Sequence, residues 1–141
     1  MFTDRYAAMS LPLVVAATWV CIRDRRLLVV RPGGQDAFYL PGGTPESGES
    51  LAQTTVREVA EETGIQLRPD DLRPLLEVVA PAHGRPGVNV RLVCFTASSD
   101  GEPIAAAEID EVAWFTAADA ARCAPAVREV IGRLVSDGVM A

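Results

Sequence analysis

The sequence predicts an α/β fold in which helices cover the faces of a mixed sheet. Two observations support this: strand-like apolar segments outnumber helical ones, and the helical segments fall mid-chain and at the end. Such an order is typical of an α/β sandwich. With 141 residues, the chain can bury one core without disulfides or metal ions, so we expect a single domain over residues 1–141.

The N-terminal half contains three strand-like segments. Leu13 to Ile22 is rich in β-branched residues, and the polar residues 23–26 separate it from Leu27 to Arg31, which predicts two strands joined by a tight turn. After a Pro/Gly-rich loop, Phe38 to Leu40 predicts a short strand that stops at the Pro-Gly-Gly of residues 41–43.

The strongest helix signal spans Ser50 to Thr63, which has no internal Gly or Pro and is followed by Gly64, a residue suited to a left-handed C-terminal cap. At 100° per residue, one side of this helix collects the residues that we expect to be buried: Leu51, Ala52, Thr55, Val56, Val59 and Ala60.

The C-terminal half continues the mixed pattern. Leu75 to Ser98 predicts two strands around a loop, and Glu111 to Phe115 predicts another short strand. Ala117 to Val135 has helical spacing of apolar residues, with a break near Pro125.

Composition excludes several classes of protein. No apolar run reaches the ~20 residues of a membrane span, since Arg23 interrupts the best one, and the start lacks signal-peptide features, so we expect a cytoplasmic protein with no membrane partner. The three cysteines, Cys21, Cys94 and Cys123, show no CxxC spacing and are expected to be reduced, with Cys21 and Cys94 in the core.

The net charge of −6 and the pI near 4.7 argue against binding a nucleic acid polymer over a broad face. All thirteen cations are arginine. Because a guanidinium can clamp a phosphate with two donors, a small phosphorylated ligand is compatible with this composition.

Three glutamates, Glu58, Glu61 and Glu62, stand at the end of the predicted helix, where the helix dipole disfavours negative charge. They share one stripe, and the i,i+3 and i,i+4 pairs repel by roughly 0.2–0.5 kcal/mol each. One interpretation is a solvated acidic face. The other is a divalent metal site, because carboxylates bind hard cations such as Mg²⁺ and the ion turns repulsion into attraction.

The surrounding residues favour the metal site. From Gly43 to Ile65 the chain matches GX5EX7REUXEEXGU, with U aliphatic, at every specified position, and so resembles the Nudix box of MutT-like Nudix hydrolases. The resemblance implies an α/β/α sandwich with a curved mixed sheet, the box forming a loop–helix–loop.

The resemblance also implies Mg²⁺-dependent hydrolysis of a diphosphate linkage by metal-activated water, with Mn²⁺ as a substitute. By its size the chain resembles members acting on nucleoside triphosphates or related small nucleotides. Pro81, 16 residues after the box, is typical of the alternative, an ADP-ribose or sugar-nucleotide pyrophosphatase. A non-catalytic nucleotide-sensing module is the alternative of another class, and a monomer or a homodimer is expected.

Site residues follow from the same resemblance. Glu58, Glu61 and Glu62 are implied as catalytic metal ligands, with the Gly42 carbonyl completing the metal site. A general base can come from Glu58, from Glu62 or from a later loop, where Glu108 and Glu111 lie ahead of Trp114. The residues implied to support the structure of the box are Gly43, Glu49, Arg57 and Gly64.

Substrate contacts are less constrained by the sequence. Arg23 and Arg31 are candidate phosphate ligands, and His83 lies in a probable loop near the substrate. Phe38, with Tyr39 and Trp114 as alternatives, is a candidate for stacking on a base, although aromatics beside strands more often belong to the core.

Overall fold

A computed structural model describes residues 12–141. The chain forms seven strands and two helices in these residues: β1 (Leu13–Val20), β2 (Ile22–Arg23), β3 (Arg26–Pro32), β4 (Gly42–Gly43), α1 (Leu51–Thr63), β5 (Arg73–Pro81), β6 (Asn89–Thr96), β7 (Ile109–Phe115) and α2 (Pro125–Ser136). Short 3₁₀ helices lie at Pro69–Asp71 and Ala117–Arg122. Residues 1–11 lie outside the described part, so a single domain over 1–141 stays a prediction.

The strands form two sheets. The larger has the order β4-β1-β6-β5, with β1 and β6 parallel and the other pairs antiparallel. The smaller has the order β2-β3-β7 and is antiparallel. The predicted mixed α/β fold is confirmed, although the strands divide into two sheets.

Two hydrophobic clusters hold the helices to the sheets. One contains Val59 of α1 with Trp19, Leu28 and Val93 of the strands. The other contains α2 residues such as Val127 and Val130, packed with Leu76 and Leu92. Adjacent residues of β1 and β6 contribute to different clusters, because side chains alternate between the faces of a strand. The chain is thus a helix–sheet–helix sandwich.

The predicted boundaries need two corrections. The first strand stops at Val20, and Ile22 belongs to the second sheet, where Asp24 and Arg25 turn the chain with φ values of 52° and 62°. This is the predicted tight turn, since two left-handed residues match the twist of a hairpin.

Phe38 to Leu40, the other correction, forms no extended strand. Phe38 and Tyr39 make only isolated bridges, to Cys123 and Val30. Pro41 lacks the N–H that a continuing ladder would need.

The bounds of helix α1 match the prediction, but of the six residues expected to be buried only Thr55 and Val59 are, while Leu51, Ala52, Val56 and Ala60 are partly buried. Ser50 caps the start of α1 by accepting a hydrogen bond from the Gln53 N–H, while the Gln53 side chain accepts one from the Ser50 N–H. Gly64 ends the helix at φ 76°, as expected for a left-handed cap. Pro125 begins α2, which explains the predicted break in the C-terminal helical region.

Candidate functional site

Gly42 and Gly43 bring the backbone against α1. They form β4, which pairs with Ala17 and Thr18 of β1. At Gly42, φ is 152° and a Cβ would collide with the Ala17 carbonyl oxygen. At Gly43 a Cβ would lie 2.6 Å from the Glu58 carboxyl carbon. Gly42 therefore requires glycine for close approach, whereas a Cβ at Gly43 would displace the flexible end of the Glu58 side chain.

Glu49 and Arg57 tie the loop before α1 to the helix. The guanidinium donates to both carboxylate oxygens, Nε to Oε2 at 2.7 Å and Nη2 to Oε1 at 2.9 Å. Thr54 Oγ1 donates to the same carboxylate at 2.8 Å. The hydrogen bonds from Arg57, together with those from the Glu46 N–H and Thr54, lower the pKa of Glu49 to about 2, and the bonds to Glu49 raise the pKa of Arg57.

Arg57 also faces the acidic stripe. Its Nη1 donates to Glu58 Oε1 at 2.7 Å and lies 3.5 Å from Glu61 and 3.4 Å from Glu46. One cation therefore contacts four carboxylates, counting Glu49. This offsets part of the repulsion at the end of α1.

Glu62 is the most buried member of the stripe, at 7% exposure. Its Oε1 accepts the Gly42 N–H at 3.0 Å. Burial, with smaller contributions from Glu58 and from the charge of Glu108, raises the pKa of Glu62 to about 8 despite the Gly42 hydrogen bond. Two carboxyl groups thus share a confined, poorly solvated space.

The three predicted metal ligands are only partly brought together. Glu58 and Glu62 meet beside β4, whereas the Glu61 side chain is 50% exposed and lies near Arg57. Within residues 12–141, no group of three or more His, Cys, Asp or Glu side chains has the arrangement of an ion site.

The donor set nevertheless fits a hard dication. It offers carboxylate oxygens beside a glycine backbone that no Cβ shields. A cation here would also relieve the cost of ionising Glu62.

Glu108 comes from the segment between β6 and β7. The Ala106 N–H donates to the Glu62 carbonyl at 3.1 Å, and the Gly33 N–H donates to the Glu108 carbonyl at 2.6 Å. Glu108 therefore stands two residues beyond the Ala106 N–H that bonds the Glu62 carbonyl, and its charge contributes to the raised pKa of Glu62. Glu111, the alternative, faces Arg31 at 3.5 Å instead.

A cleft of about 550 Å³ adjoins this cluster. Gly42, Gly43 and Glu62 line it, together with apolar side chains of β1 and β6 that include Val14, Ala16, Val90 and Leu92. Its further polar lining residues are Thr18, Gln35, Tyr39, His83 and Arg85.

His83 lies in the cleft, held by an interaction between loops. Its Nε2 is 2.7 Å from Asp36 Oδ1, and this hydrogen bond lowers the pKa of Asp36. The Tyr39 ring stands edge-on to the imidazole at 6.3 Å, and the Tyr39 hydroxyl lies 3.4 Å from Gln35 Oε1. Burial and the Asp36 charge raise the pKa of Tyr39.

Three sequence candidates for substrate contact do not line the cleft. Arg23 donates to the carbonyls of Ser99 and Gly101, and Arg31 pairs with Asp110 and Glu111. Phe38 is buried against Phe115, with ring centroids 4.7 Å apart. Their donors and surfaces already have partners within the protein, so we withdraw them as substrate ligands.

Sequence reasoning missed Gln35, Arg85 and Thr18 in the cleft. Arg85 stands two residues beyond His83 in the same loop, a proximity that could have indicated it. Tyr39, considered only as an alternative to Phe38, is the aromatic in the cleft, because adjacent residues of an extended segment point to opposite sides.

Comparison with known proteins gives a consistent result. A model of the NUDIX domain matches residues 12–134. The chain is similar to Nucleoside diphosphate-linked moiety X motif 6 of Mus musculus, with 36% identity over 86 residues that cover 57% of this chain and 26% of that protein. It spans less than half the length of the curated relatives it matches.

Two solved structures illustrate the shared fold. The MutT protein from Methanosarcina mazei Go1 superposes with a TM-score of 0.71 at 19% identity, covering 93% of this chain and 99% of that one. The bifunctional NMN adenylyltransferase/ADP ribose pyrophosphatase from Francisella tularensis gives 0.64 at 25% identity, covering 92% and 42%.

No helix within residues 12–141 has the length and hydropathy required to cross a membrane. The match to the NUDIX domain model, over residues 12–134, covers most of the chain, including the loop before α1, the helix itself and the residues around Glu62. This protein therefore belongs to the Nudix family of hydrolases.

Proposed function

We propose that this protein is a pyrophosphohydrolase that cleaves the diphosphate linkage of a small nucleotide with the help of Mg²⁺. The main support is Glu62, a nearly buried carboxyl beside Glu58 at the edge of the cleft, with a pKa raised to about 8. Such a pair is costly without a cation. The net charge of −6 favours a free nucleotide over a nucleic acid polymer.

The proposed metal ligands are Glu58, Glu61, Glu62 and the Gly42 carbonyl. Bound Mg²⁺ would neutralise phosphate charge and lower the pKa of a water molecule. Glu108 accepts the proton of the attacking water in this scheme, because it comes from a separate segment and is not paired with Arg57. The Glu49–Arg57 pair holds the loop to the helix and has no chemical role.

The cleft supports a nucleotide rather than a bare phosphate compound as substrate. Its apolar walls suit the faces of a base, while Tyr39 and His83 add a ring surface and a polar edge. Arg85 is the cation among the described lining residues and would meet a phosphate. A nucleoside triphosphate or a similar small nucleotide is the leading substrate class.

ADP-ribose or a sugar nucleotide is the second candidate. The supporting observation is that Pro81 lines the cleft, 16 residues beyond the box. Similarity to the Francisella tularensis bifunctional protein points the same way.

The test is a panel of nucleoside triphosphates, ADP-ribose, sugar nucleotides and dinucleoside polyphosphates, with Mg²⁺, with Mn²⁺ or with EDTA. We expect metal-dependent release of a nucleoside monophosphate and, in the Glu62→Gln variant, loss of about 10²-fold or more in kcat, as for a group acting in the transition state. Circular dichroism and the melting temperature check that the variant folds.

Two outcomes would contradict the proposal. A folded Glu62→Gln variant with parental activity would remove Glu62 from the metal site. Tight nucleotide binding with Mg²⁺ but no turnover of any substrate would instead indicate a nucleotide-sensing module.

A further inference from the structure

Arg23 does not line the cleft, and its guanidinium has several partners within the protein. Its Nη2 donates to the carbonyls of Ser99 at 2.6 Å and Gly101 at 2.7 Å, and its guanidinium stacks over the Trp114 ring at 5.3 Å. The Glu102 carboxylate lies 3.5 Å from Nη1. The side chain is 26% exposed. Arg23 therefore anchors the start of the segment that follows β6.

That segment, residues 99–108, continues onto the C-terminal end of α1. The N–H groups of Ile104 and Ala106 donate to the carbonyls of Thr63 and Glu62, each at 3.1 Å. These are among the last carbonyls of the helix, which have no partner within it. A Cβ on Gly101 would lie 3.2 Å from the Ile65 side chain, so the segment packs closely there.

Glu108 stands at the end of the segment. Ala107, just before it, has φ 52°, a left-handed conformation that costs a non-glycine residue energy and persists only when its surroundings hold it. The Glu108 carbonyl accepts the Gly33 N–H, while its side chain is exposed. The position of this carboxylate thus depends on the backbone rather than on side-chain packing.

We propose that Arg23 is a positioning residue for catalysis: by binding the carbonyls of Ser99 and Gly101, it holds residues 99–108 on α1 and keeps Glu108 at the end of the helix that carries Glu62. This inference rests on the proposed function, in which Glu108 accepts a proton. In this proposal Arg23 affects catalysis through residues 99–108 and does not contact the substrate.

The test compares Arg23→Met with Arg25→Met. Arg25 is a matched control, because it lies in the same hairpin and also donates to two carbonyls, those of Gly138 and Met140, at 3.1 and 3.4 Å. We expect Arg23→Met to lower kcat by about tenfold or more with little change in KM. Arg25→Met should lower the melting temperature without changing kcat, and Arg23→Lys should restore part of the lost rate.

A double-mutant cycle with Glu108→Gln separates positioning from general destabilisation. Glu108→Gln alone should lower kcat by roughly 10²-fold, as for loss of a general base. Adding Arg23→Met should then cause little further loss, because the group that Arg23 positions is already inactive.

Three results would overturn the inference: parental kcat in the folded Arg23 variants, multiplicative losses in the cycle, or an equal loss in Arg25→Met. Parental kcat in Glu108→Gln would also overturn it and would remove Glu108 from the mechanism. Because Glu62→Gln tests the metal site separately, a failure here is distinguishable from failure of the proposed function.

Discussion

At the scale of single residues, the site depends on glycines, because Gly42 and Gly43 leave space that a side chain would fill. Gly43 is the clearest example: its missing Cβ leaves the space that the Glu58 carboxyl occupies. A glycine whose Cβ position is open space, such as Gly132, could be replaced by alanine without displacing a neighbour. Activity should therefore respond to one methyl group at Gly43 more than folding does.

We expect Gly43→Ala to displace the Glu58 carboxylate, which is the flexible end of its side chain. Stability should change by no more than about 1 kcal/mol, the lower end for an overpacked site, while the Mg²⁺ concentration for half-maximal activity should rise severalfold. Initial rates across a Mg²⁺ titration measure this.

Gly132→Ala is the control, because a Cβ at this helical position meets nothing within 4 Å. It should keep the parental Mg²⁺ dependence. If Gly43→Ala also keeps the parental Mg²⁺ dependence, the position of the Glu58 carboxylate beside Gly43 does not matter for metal binding, and the prediction is wrong.

At the scale of elements, α1 is held at both ends by local signals. Ser50 and Gln53 exchange hydrogen bonds at its start, and Gly64 terminates it. Because the glutamates lie in the last two turns of this helix, its first turn contributes to stability but not directly to the chemistry.

Ser50→Ala should lower the free energy of unfolding by about 1 kcal/mol, because it removes the acceptor for the Gln53 N–H. Urea denaturation measures this loss. In the folded population kcat should be unchanged. A drop in kcat of tenfold at a temperature where the variant is fully folded would contradict this division of roles.

At the scale of the whole molecule, the Glu49–Arg57 pair links a loop to the main helix. The pKa of Glu49, about 2, lies below its ordinary value of 4.5. A carboxylate with a lowered pKa stabilises the folded state fully above pH 4.5, and this contribution is lost as the pH falls from there towards 2.

We therefore expect Glu49→Gln to be less stable than the parent at neutral pH, with a difference that shrinks as the pH falls below 4.5. Chemical denaturation of both proteins between pH 3 and pH 7 tests this in EDTA, so that metal binding does not contribute. A difference in unfolding free energy that stays constant across this range would contradict the paired geometry.

The sequence by itself determined the family and the helix of the box. Local signals carry this information: the capping glycine at Gly64, the helical spacing of apolar residues, and the complete pattern from Gly43 to Ile65. These are short-range features, so one segment contains all of them. The Glu49–Arg57 pair was predictable for the same reason.

Only the tertiary structure decided what Arg23, Phe38 and Tyr39 contact. Arg23 contacts residues 76 and 78 positions away, and the orientation of Phe38 and Tyr39 depends on one bridge from Phe38 to the distant Cys123 and one from Tyr39 to Val30. Long-range pairing sets these contacts, and residue type alone does not encode it. Arg23, which the sequence offered as a candidate phosphate ligand, therefore donates to backbone carbonyls of a distant loop instead.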